Sequence, residues 1–285
     1  MNSELATPNN SKYRPLKRFG QHWLKSEKAL ASIVTAAEIQ YSDRILEIGP
    51  GTGILTSRLL QHSGSVTAVE IDRNLSKKLV RKFGDRDNFL LLQGDFLELD
   101  IAELTQSFPK FQNHNKIVAN IPYNITSLIL EKLFGNIYQP RFSNYEFAVL
   151  LIQKEVGDRL TAQPGTKAYS ALSVRMQYLA HCELVCDVPA KAFYPPPKVD
   201  SVVVKLKPKT IDNPAKDPQL LGTLIKLGFS KRRKMLKNNL KAIISPEELI
   251  NLLTNISVNP QSRAENLSVQ DWINLSNNFP NLKTN

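Results

Sequence analysis

Cysteine is scarce in this sequence of 285 residues, which contains only Cys182 and Cys186. No second pair of Cys or His residues is spaced to complete a zinc site with them, so we expect no bound metal. Two cysteines form no disulfide framework, which indicates a reducing, cytoplasmic environment. Because side chains four residues apart on a strand point the same way, we expect both thiols on one face of a strand.

Long apolar runs are also missing. The sequence has no apolar stretch of the roughly 18 residues that a transmembrane helix requires. Its N-terminal residues are polar and lack the apolar core of a signal peptide. We therefore predict a cytoplasmic protein in which residues 1–11 form a disordered tail.

Acidic residues are too few to balance the basic ones, and the net charge is +11. The last 80 residues carry 12 Lys and Arg against 6 Asp and Glu, whereas the first 205 carry 25 against 20. The C-terminal part is therefore more basic per residue. Such a charge favours nucleic acid as the partner, although a high charge can also serve solubility alone.

Short apolar segments alternate with segments of helical periodicity over residues 44–206. The predicted strands cover 44–49, 66–71, 89–92, 116–119, 147–152, 183–188 and 199–206. The predicted helices cover 52–61, 75–83, 127–134 and 168–180. Continuous apolar strands that alternate with helices predict an α/β fold, in which a mostly parallel sheet has helices on both faces.

A segment rich in Pro, Lys and Asp at 208–218 is the predicted boundary between two domains. The first domain, residues 12–207, contains the sheet and begins with a basic segment that also contains aromatic residues. The second, residues 219–285, has helical periodicity and no strand pattern. We therefore expect a small, all-helical C-terminal domain.

A glycine-rich turn follows the first strand and begins a helix. Gly49, Gly51 and Gly53 allow a sharp turn and a close approach of the backbone to a ligand. Glu70 ends the next strand, where a carboxylate can bind ribose hydroxyls. The spacing differs from the G-x-G-x-x-G of NAD-binding turns, because Ile54 follows Gly53.

Two further carboxylates point to a different ligand. Glu47 precedes the turn, where it can receive a cofactor ammonium group through water or the backbone. Asp95 follows the third strand, where it can accept a hydrogen bond from an adenine amino group. With the glycine turn and Glu70, this set resembles the S-adenosylmethionine site of Rossmann-like methyltransferases. Taken alone, the glycine turn or Asp95 could be purely structural.

Asn120, Ile121, Pro122 and Tyr123 follow the fourth strand, at the same edge of the sheet as the cofactor residues. The amide oxygen of Asn120 and a backbone carbonyl near Ile121 can accept both hydrogens of an adenine N6 amine and so direct its lone pair toward a methyl donor. Pro122 stiffens the turn, and Tyr123 offers a face on which the base can stack. This pattern predicts catalysis by positioning and electrostatics, without a strong general base.

Phe193, which precedes three prolines, is the candidate for stacking on the other face of the base; the alternative is a core aromatic. Basic residues in two segments are the candidates for RNA phosphate contacts. They are Lys17 and Arg18 near the N-terminus, and Arg232, Arg233, Lys234 and Lys237 on a predicted helix whose other face is apolar. The alternative for that helix is a solvated face.

Together these residues resemble the ribosomal RNA adenine dimethylase family over about residues 14–267. The resemblance includes residues 19–24, the glycine turn, Glu70, Asp95, and the segments 120–123, 193–201, 229–240 and 263–268. It implies that His22 and Leu24 also contact the cofactor, together with Asn120. In the family Gln21 is often followed by Asn-Phe, where this chain has His22 and Trp23.

The resemblance implies N6,N6-dimethylation of two adjacent adenosines in the loop of a hairpin near the 3′ end of small-subunit ribosomal RNA. The implied substrate is the immature small subunit, the methyl donor is S-adenosylmethionine, and the enzyme is a monomer. The resemblance also implies that the helical C-terminal domain, residues 219–285, helps the enzyme to dock on the RNA of this particle.

Three alternatives remain open. The first is the antibiotic-resistance branch of the family, which methylates a single large-subunit adenosine; the basic residues 232–234 and the run 195–201 favour the small-subunit branch. The second is an assembly or transcription factor without activity, against which the intact cofactor and Asn120 motifs argue. The third is a DNA amino-methyltransferase, against which Ile121 and the helical C-terminal part argue.

Overall fold

The computed structural model describes residues 21–141 and 145–280. Lys17 and Arg18, together with the tail predicted at 1–11, lie outside the described residues, so their predicted roles stay predictions.

The described strands are short and mostly apolar. In chain order they are β1 (Trp23–Leu24), β2 (Arg44–Ile48), β3 (Ser65–Glu70), β4 (Phe89–Gln93), β5 (Lys116–Asn120), β6 (Gly135–Asn136), β7 (Gln139–Pro140), β8 (Phe147–Gln153), β9 (Ala180–Val188), β10 (Phe193–Tyr194) and β11 (Ser201–Pro208).

The described helices are α1 (Glu27–Ala36), α2 (Ile54–His62), α3 (Arg73–Phe83), α4 (Ile101–Leu104), α5 (Thr126–Phe134), α6 (Lys154–Thr161), α7 (Ala171–Leu179), α8 (Pro218–Gly228), α9 (Leu236–Asn239), α10 (Pro246–Asn255) and α11 (Val269–Asn277). Within the described ranges, no helix is both long enough and apolar enough to cross a membrane.

Seven strands form one sheet in the order β4-β3-β2-β5-β8-β11-β9. The first five of these are parallel to one another, and β11 and β9 complete the sheet as an antiparallel pair. The predicted mostly parallel sheet is therefore confirmed. The carboxyl ends of β2, β3, β4 and β5 meet at one edge, where ligands bind in open sheets of this kind.

The two faces of the sheet are covered by different helices. Val118 of β5 faces a cluster that includes α1, α2 and α3, whereas its neighbours Ile117 and Ala119 face a cluster that includes α5, α6 and α7. This alternation follows from the two-residue period of a strand. Both faces are therefore buried, which explains why the central strands are continuously apolar.

The C-terminal helices share a core with the sheet. Leu224 of α8, Leu249 of α10 and Trp272 of α11 are fully buried and belong to the same apolar cluster as Ile117 and Ala119. The predicted boundary corresponds to a segment at 209–217 without helix or strand. The helices after it therefore rest on one face of the sheet, and their division into a separate domain stays a prediction.

The two cysteines lie on opposite faces of β9, so the expectation of a shared face is wrong. Cys182 pairs with Leu206 and Cys186 pairs with Val203, with a shift of register between them. Partners three residues apart on β11 point to opposite faces. The cause is a β-bulge in β9, which inserts one extra residue and reverses the alternation.

The basic residues expected on one helix lie in a turn. The helix α8 ends at Gly228, and α9 contains only Leu236–Asn239, so Arg232, Arg233 and Lys234 are in the connection between them. The side-chain amide of Asn239 donates to the carbonyls of Gly228 and, at 3.1 Å, Lys231. These bonds satisfy carbonyls that a continuous helix would have used. Among the predicted contact residues that the structure describes, Lys237 alone is helical.

Candidate active site

A cavity of about 260 Å³ opens at the carboxyl ends of β2 to β5. It brings together ten of the residues that the sequence predicts for the site. These are His22, Leu24, Glu47, Gly49, Gly51, Glu70, Asp95, Asn120, Pro122 and Tyr123.

Two predicted site residues do not line the cavity. Gly53 has a φ of 74°, and a Cβ there would lie 2.6 Å from Phe83 and 2.8 Å from Leu79. Its role in the structure is thus the close packing of α2 on α3. Phe193 is 1% exposed and lies in the core with α1, which is the alternative considered for it.

The ribbon of β1 and β10 explains the burial of Phe193. Leu24 is paired with Phe193, and both side chains point into the core. Trp23 is paired with Tyr194, and cross-strand partners lie on the same face of a ribbon. The face of the ribbon with Trp23 therefore also carries Tyr194, which is 59% exposed.

Glu70 connects the end of β3 to the glycine turn. Its carboxylate accepts hydrogen bonds from the backbone N–H groups of Gly51, at 3.0 Å, and Asp72, at 2.9 Å. A carboxylate has about four lone-pair positions, so two remain for ribose hydroxyls. Burial raises the pKa of Glu70, and the two N–H donors act in the opposite direction. Glu70 therefore shapes the turn as well as offering acceptors to a ligand.

Glu47 is a buried acid among the residues that line the cavity. Its side chain is buried, and its Oε2 has no hydrogen-bond partner among the described residues. Burial raises its pKa to about 8, with a further contribution from the nearby charge of Glu70. A buried carboxyl oxygen without a partner is costly. The site therefore favours a ligand that brings a cation or a donor to Glu47.

Asn120 is the last residue of β5, and a hydrogen bond determines the orientation of its side chain. Its Nδ2 donates to the backbone carbonyl of His22 at 3.3 Å. Because this bond uses the amino end of the amide, the Asn120 oxygen remains as an acceptor in the cavity. The N–H of Ile121 then donates to Leu151 at 3.3 Å, and this bond extends the pairing of β5 and β8 past Asn120.

Tyr123 is fixed at its hydroxyl and along one side of its ring. The hydroxyl is hydrogen-bonded to Ser201 Oγ at 2.6 Å, and burial raises its pKa. The ring stacks on His22 at 5.7 Å between centroids and 18° between planes. His22 Nδ1 in turn donates to the carbonyl of Pro195 at 2.7 Å. The His22 side chain is therefore engaged with Tyr123 and the Pro-rich loop, while its backbone carbonyl holds Asn120.

Asp95 has one oxygen committed to its own turn. Its Oδ1 accepts from the N–H of Leu97 at 2.9 Å, directly after β4. The preceding Gly94 donates its N–H to the carbonyl of Glu70 at 3.0 Å, so the ends of β3 and β4 are tied together at the cavity. The remaining carboxylate oxygen is positioned in the wall of the cavity as an acceptor.

The walls of the cavity also contain apolar residues that the sequence analysis did not single out. They include Trp23, Ile71, Phe96 and Ile125. Each directly follows or closely follows a predicted polar site residue, which is the signal that could have identified them. Ile71 is 42% exposed and directly follows Glu70, the predicted acceptor for ribose hydroxyls. An exposed apolar side chain at this position can pack against a flat ring of the ligand.

Comparison with known proteins gives a consistent result. The family model described as "Ribosomal RNA adenine dimethylase" matches residues 12–280. A protein of Crocosphaera subtropica called "Ribosomal RNA small subunit methyltransferase A" is 60% identical over 266 residues, which cover 93% of this chain and 98% of the relative. A Nostoc protein of the same name is 58% identical over 264 residues, which cover 93% of this chain and 97% of the relative.

Two solved structures share the whole architecture. A dimethyladenosine transferase from Plasmodium falciparum has a TM-score of 0.71 and 29% identity, and the match covers 89% of this chain and 96% of the other. The 23S rRNA methyltransferase ErmE has a TM-score of 0.68 and 26% identity, with 89% and 97% covered. The fold is thus the Rossmann-like methyltransferase fold. The chain belongs to the ribosomal RNA adenine dimethylase family.

Proposed function

We propose that this protein transfers methyl groups from S-adenosylmethionine to the N6 amines of two adjacent adenosines, in the loop of the 3′-terminal hairpin of small-subunit ribosomal RNA. The observation that carries the proposal is the convergence of the glycine turn, Glu70 and Asp95 with Asn120 and Tyr123 in one cavity. The name of the Crocosphaera relative supports small-subunit ribosomal RNA as the substrate. The name of the Plasmodium structure supports dimethyladenosine as the product.

The residues of the cavity fit S-adenosylmethionine, which supplies the methyl group. The free lone pairs of Glu70 suit ribose hydroxyls, and the free oxygen of Asp95 suits an adenine amino group. The buried Oε2 of Glu47 suits an ammonium group. The backbone of the glycine turn, with His22 and Leu24, forms the remaining wall.

The acceptor amine is activated by its placement. The lone pair of an adenine N6 is conjugated with the ring and is a weak nucleophile. The oxygen of Asn120, with a backbone carbonyl near Ile121, accepts the amine hydrogens and leaves the lone pair directed out of the ring plane. The proton is lost from an amine that becomes acidic on methylation, so rate comes from positioning and electrostatics.

The target base must leave its stack to reach Asn120. Unstacking costs a few kcal/mol and is least costly in a loop. The ring of Tyr123, which Ser201 and His22 hold in place, offers stacking energy of roughly 1–3 kcal/mol per base. A hairpin loop is therefore a suitable substrate for this cavity.

Docking on the subunit involves the basic turn between α8 and α9. Arg232, Arg233 and Lys234 are exposed there, and only Arg232 has an ion pair, at 3.4 Å from Glu265. Together with Lys237, and with Lys17 and Arg18 outside the described residues, they are the proposed phosphate contacts. The proposed particle is the immature small subunit, bound by a monomer in the cytoplasm.

We expect cofactor binding to release a proton from Glu47. In the free protein burial raises the pKa of this carboxyl to about 8, so it is mostly protonated at pH 7. A nearby ammonium group favours the carboxylate and lowers its pKa, so affinity increases as pH rises through the interval between the lowered pKa and about 8. Calorimetry of S-adenosylhomocysteine binding at pH 7, in buffers of different ionisation enthalpy, counts the released protons.

Glu47→Gln serves as the matched comparison for this proton count. It keeps the shape of the side chain but removes the titration, so it should release up to one proton less than the wild type. The free ligand is the same in both experiments, and its amine is already mostly protonated at pH 7, so the difference in proton release reports mainly on Glu47. Equal proton release by the two proteins would contradict the proposed contact.

The function itself is tested with small subunits that lack methylation of the two adenosines. Labelled S-adenosylmethionine and purified protein are added to these subunits and, in a parallel reaction, to undermethylated large subunits, and the modified nucleosides are located in each RNA by digestion and mass spectrometry. We expect N6,N6-dimethyladenosine at two adjacent positions of the 3′-terminal hairpin loop. Label only in large-subunit RNA would instead indicate methylation of 23S rRNA, the activity for which ErmE is named. Cofactor binding without any transfer would indicate an assembly factor.

A further inference from the structure

The exposed face of α3 is strongly basic. This helix contains Lys or Arg at five of its 11 positions and has no Asp or Glu. Its apolar residues Leu79 and Phe83 are buried in the cluster that contains α2, and Leu75 is buried at the cavity. The basic side chains therefore cover the side of the helix that faces solvent. The family resemblance and the predicted contact residues do not include this surface.

Three of these basic residues form a row that begins at the cavity. Arg73, Lys77 and Arg81 are spaced four residues apart, so they lie along one side of the helix. The helix starts three residues after Glu70, and its Leu75 lines the cavity. An 11-residue helix is about 16 Å long, so the row extends that far from the mouth of the cavity.

The row is available for an outside partner. Arg73, Lys77 and Arg81 are exposed, and none of them takes part in a salt bridge within the described part of the chain. Lys82 is different, because its ammonium group lies 3.5 Å from the carbonyl of Gly53 and over the ring of Phe83. The usable charge is therefore concentrated on the row.

A shallow groove runs beside the row. It lies between α3 and the edge strand β4, and Lys77 and Arg81 form its rim with Ser76, Val80, Leu91 and Gln93. Gln93 ends β4, next to Glu70 in the sheet register. The groove therefore opens at the same edge of the sheet as the cavity. It contains no aromatic side chain on which a base could stack, so its chemistry suits a charged backbone.

The position of α3 complements that of the basic turn at 232–234. The helix packs on the face of the sheet that α1 and α2 cover, whereas α8 packs on the opposite face. The two basic surfaces therefore flank the cavity on opposite sides of the sheet. RNA segments next to an inserted loop can therefore reach a basic surface on either side of the cavity.

We infer that the Arg73–Lys77–Arg81 row of α3 binds the phosphate backbone of a second ribosomal RNA segment next to the target hairpin. The inference rests on the proposed function, because it requires an RNA substrate in the cavity. Its basis is charge complementarity: a row of unpaired cations meets a backbone that carries one negative charge per nucleotide. The groove beside the row offers no stacking surface to a base. The phosphate contact therefore positions the enzyme on the RNA without selecting a nucleotide sequence.

The test compares two double variants that each remove two positive charges. Lys77→Gln with Arg81→Gln alters the row. Lys207→Gln with Lys209→Gln is the control, because these residues lie at and just after the end of β11, at the edge of the sheet opposite to the cavity. Binding to undermethylated small subunits is measured over a series of KCl concentrations, with cofactor affinity and circular dichroism as checks of folding.

We expect the α3 variant to bind subunits about tenfold more weakly near 0.1 M KCl, and its plot of log K against log salt to be shallower by about two units. The control should match the wild type. Arg233→Gln with Lys234→Gln, which alters the proposed docking turn, should behave like the α3 variant.

Two outcomes would overturn the inference. Wild-type affinity and salt slope in the α3 variant would make the row a solvated face. Weaker binding with an unchanged slope would mean that the row contacts protein instead of phosphates. A wild-type chain that does not bind or methylate subunits would instead contradict the proposed function, and this inference with it.

Discussion

Replacing Asn120 with alanine is expected to lower the rate of methyl transfer by about 10²–10³-fold, while affinity for S-adenosylmethionine changes little. The change removes the amide oxygen that the hydrogen bond from Nδ2 to His22 leaves directed at the cavity. Without that acceptor the amine of the target base is neither oriented nor polarised. Glu70, Asp95 and the glycine turn remain intact, so the cofactor contacts persist.

Single-turnover rates and cofactor affinity separate these two effects. Asn124→Ala is the matched control, because Asn124 also lines the cavity and carries the same amide but lies outside the strand end that positions Asn120. It should retain most of the activity. An unchanged single-turnover rate in Asn120→Ala, or a loss explained wholly by weaker cofactor binding, would refute the role assigned to Asn120.

The parallel sheet and most of the cavity could be predicted from sequence because their signals are local. Continuous apolar strands, a glycine turn with positive φ at Gly49 and Gly51, and acidic residues at strand ends each reflect a short-range constraint. The topology of a doubly wound sheet then brings those strand ends together without further information. The convergence of Glu70, Asp95 and Asn120 follows from that rule.

The sequence-based predictions fail at positions where two local arrangements are equally compatible with the sequence and tertiary contacts decide between them. In the two-residue strand β10, either Phe193 or Tyr194 could face the core, and the pairing with β1 decides that Phe193 does. The β-bulge in β9 moves Cys186 to the other face, and no local pattern shows the extra residue. The amide of Asn239 converts the basic segment before α9 into turns. Gly53 continues the alternate spacing of Gly49 and Gly51 in the sequence, but side chains of α3 occupy the position that a Cβ of residue 53 would take.

The second large effect concerns stability. At the edge of the sheet away from the cavity, Lys116 is buried, and its ammonium group bonds to Asp43 Oδ2 at 2.8 Å and to the carbonyl of Glu38 at 2.7 Å. Asp43 also accepts from the N–H of Gln40 and the amide of Asn115. We expect Asp43→Ala to lower the free energy of unfolding by about 3–5 kcal/mol, because it removes the buried partner of a buried charge and leaves Lys116 only the more distant Glu146, at 3.8 Å and exposed.

Urea denaturation at pH 7 measures this loss, and Asp87→Ala is the matched control. Asp87 pairs with Lys110 at the same 2.8 Å, but its side chain is 91% exposed, so solvent already screens the pair and no measurable loss is expected. A double replacement, Asp43→Leu with Lys116→Met, should recover part of the stability lost in Asp43→Ala, because it removes both charges together.

The pH dependence gives an independent check of the Asp43 pair. Burial alone would raise the pKa of Asp43, but hydrogen bonds from Lys116, Asn115 and Gln40 hold it below its usual range. The ionised carboxylate therefore stabilises the fold above the pKa of the unfolded chain, about 3.9, and this contribution is lost as pH falls through the lower native pKa. The stability difference between wild type and Asp43→Ala should thus be constant near neutrality and shrink in acid. A difference that instead grew in acid would show that Asp43 does not act through its charge.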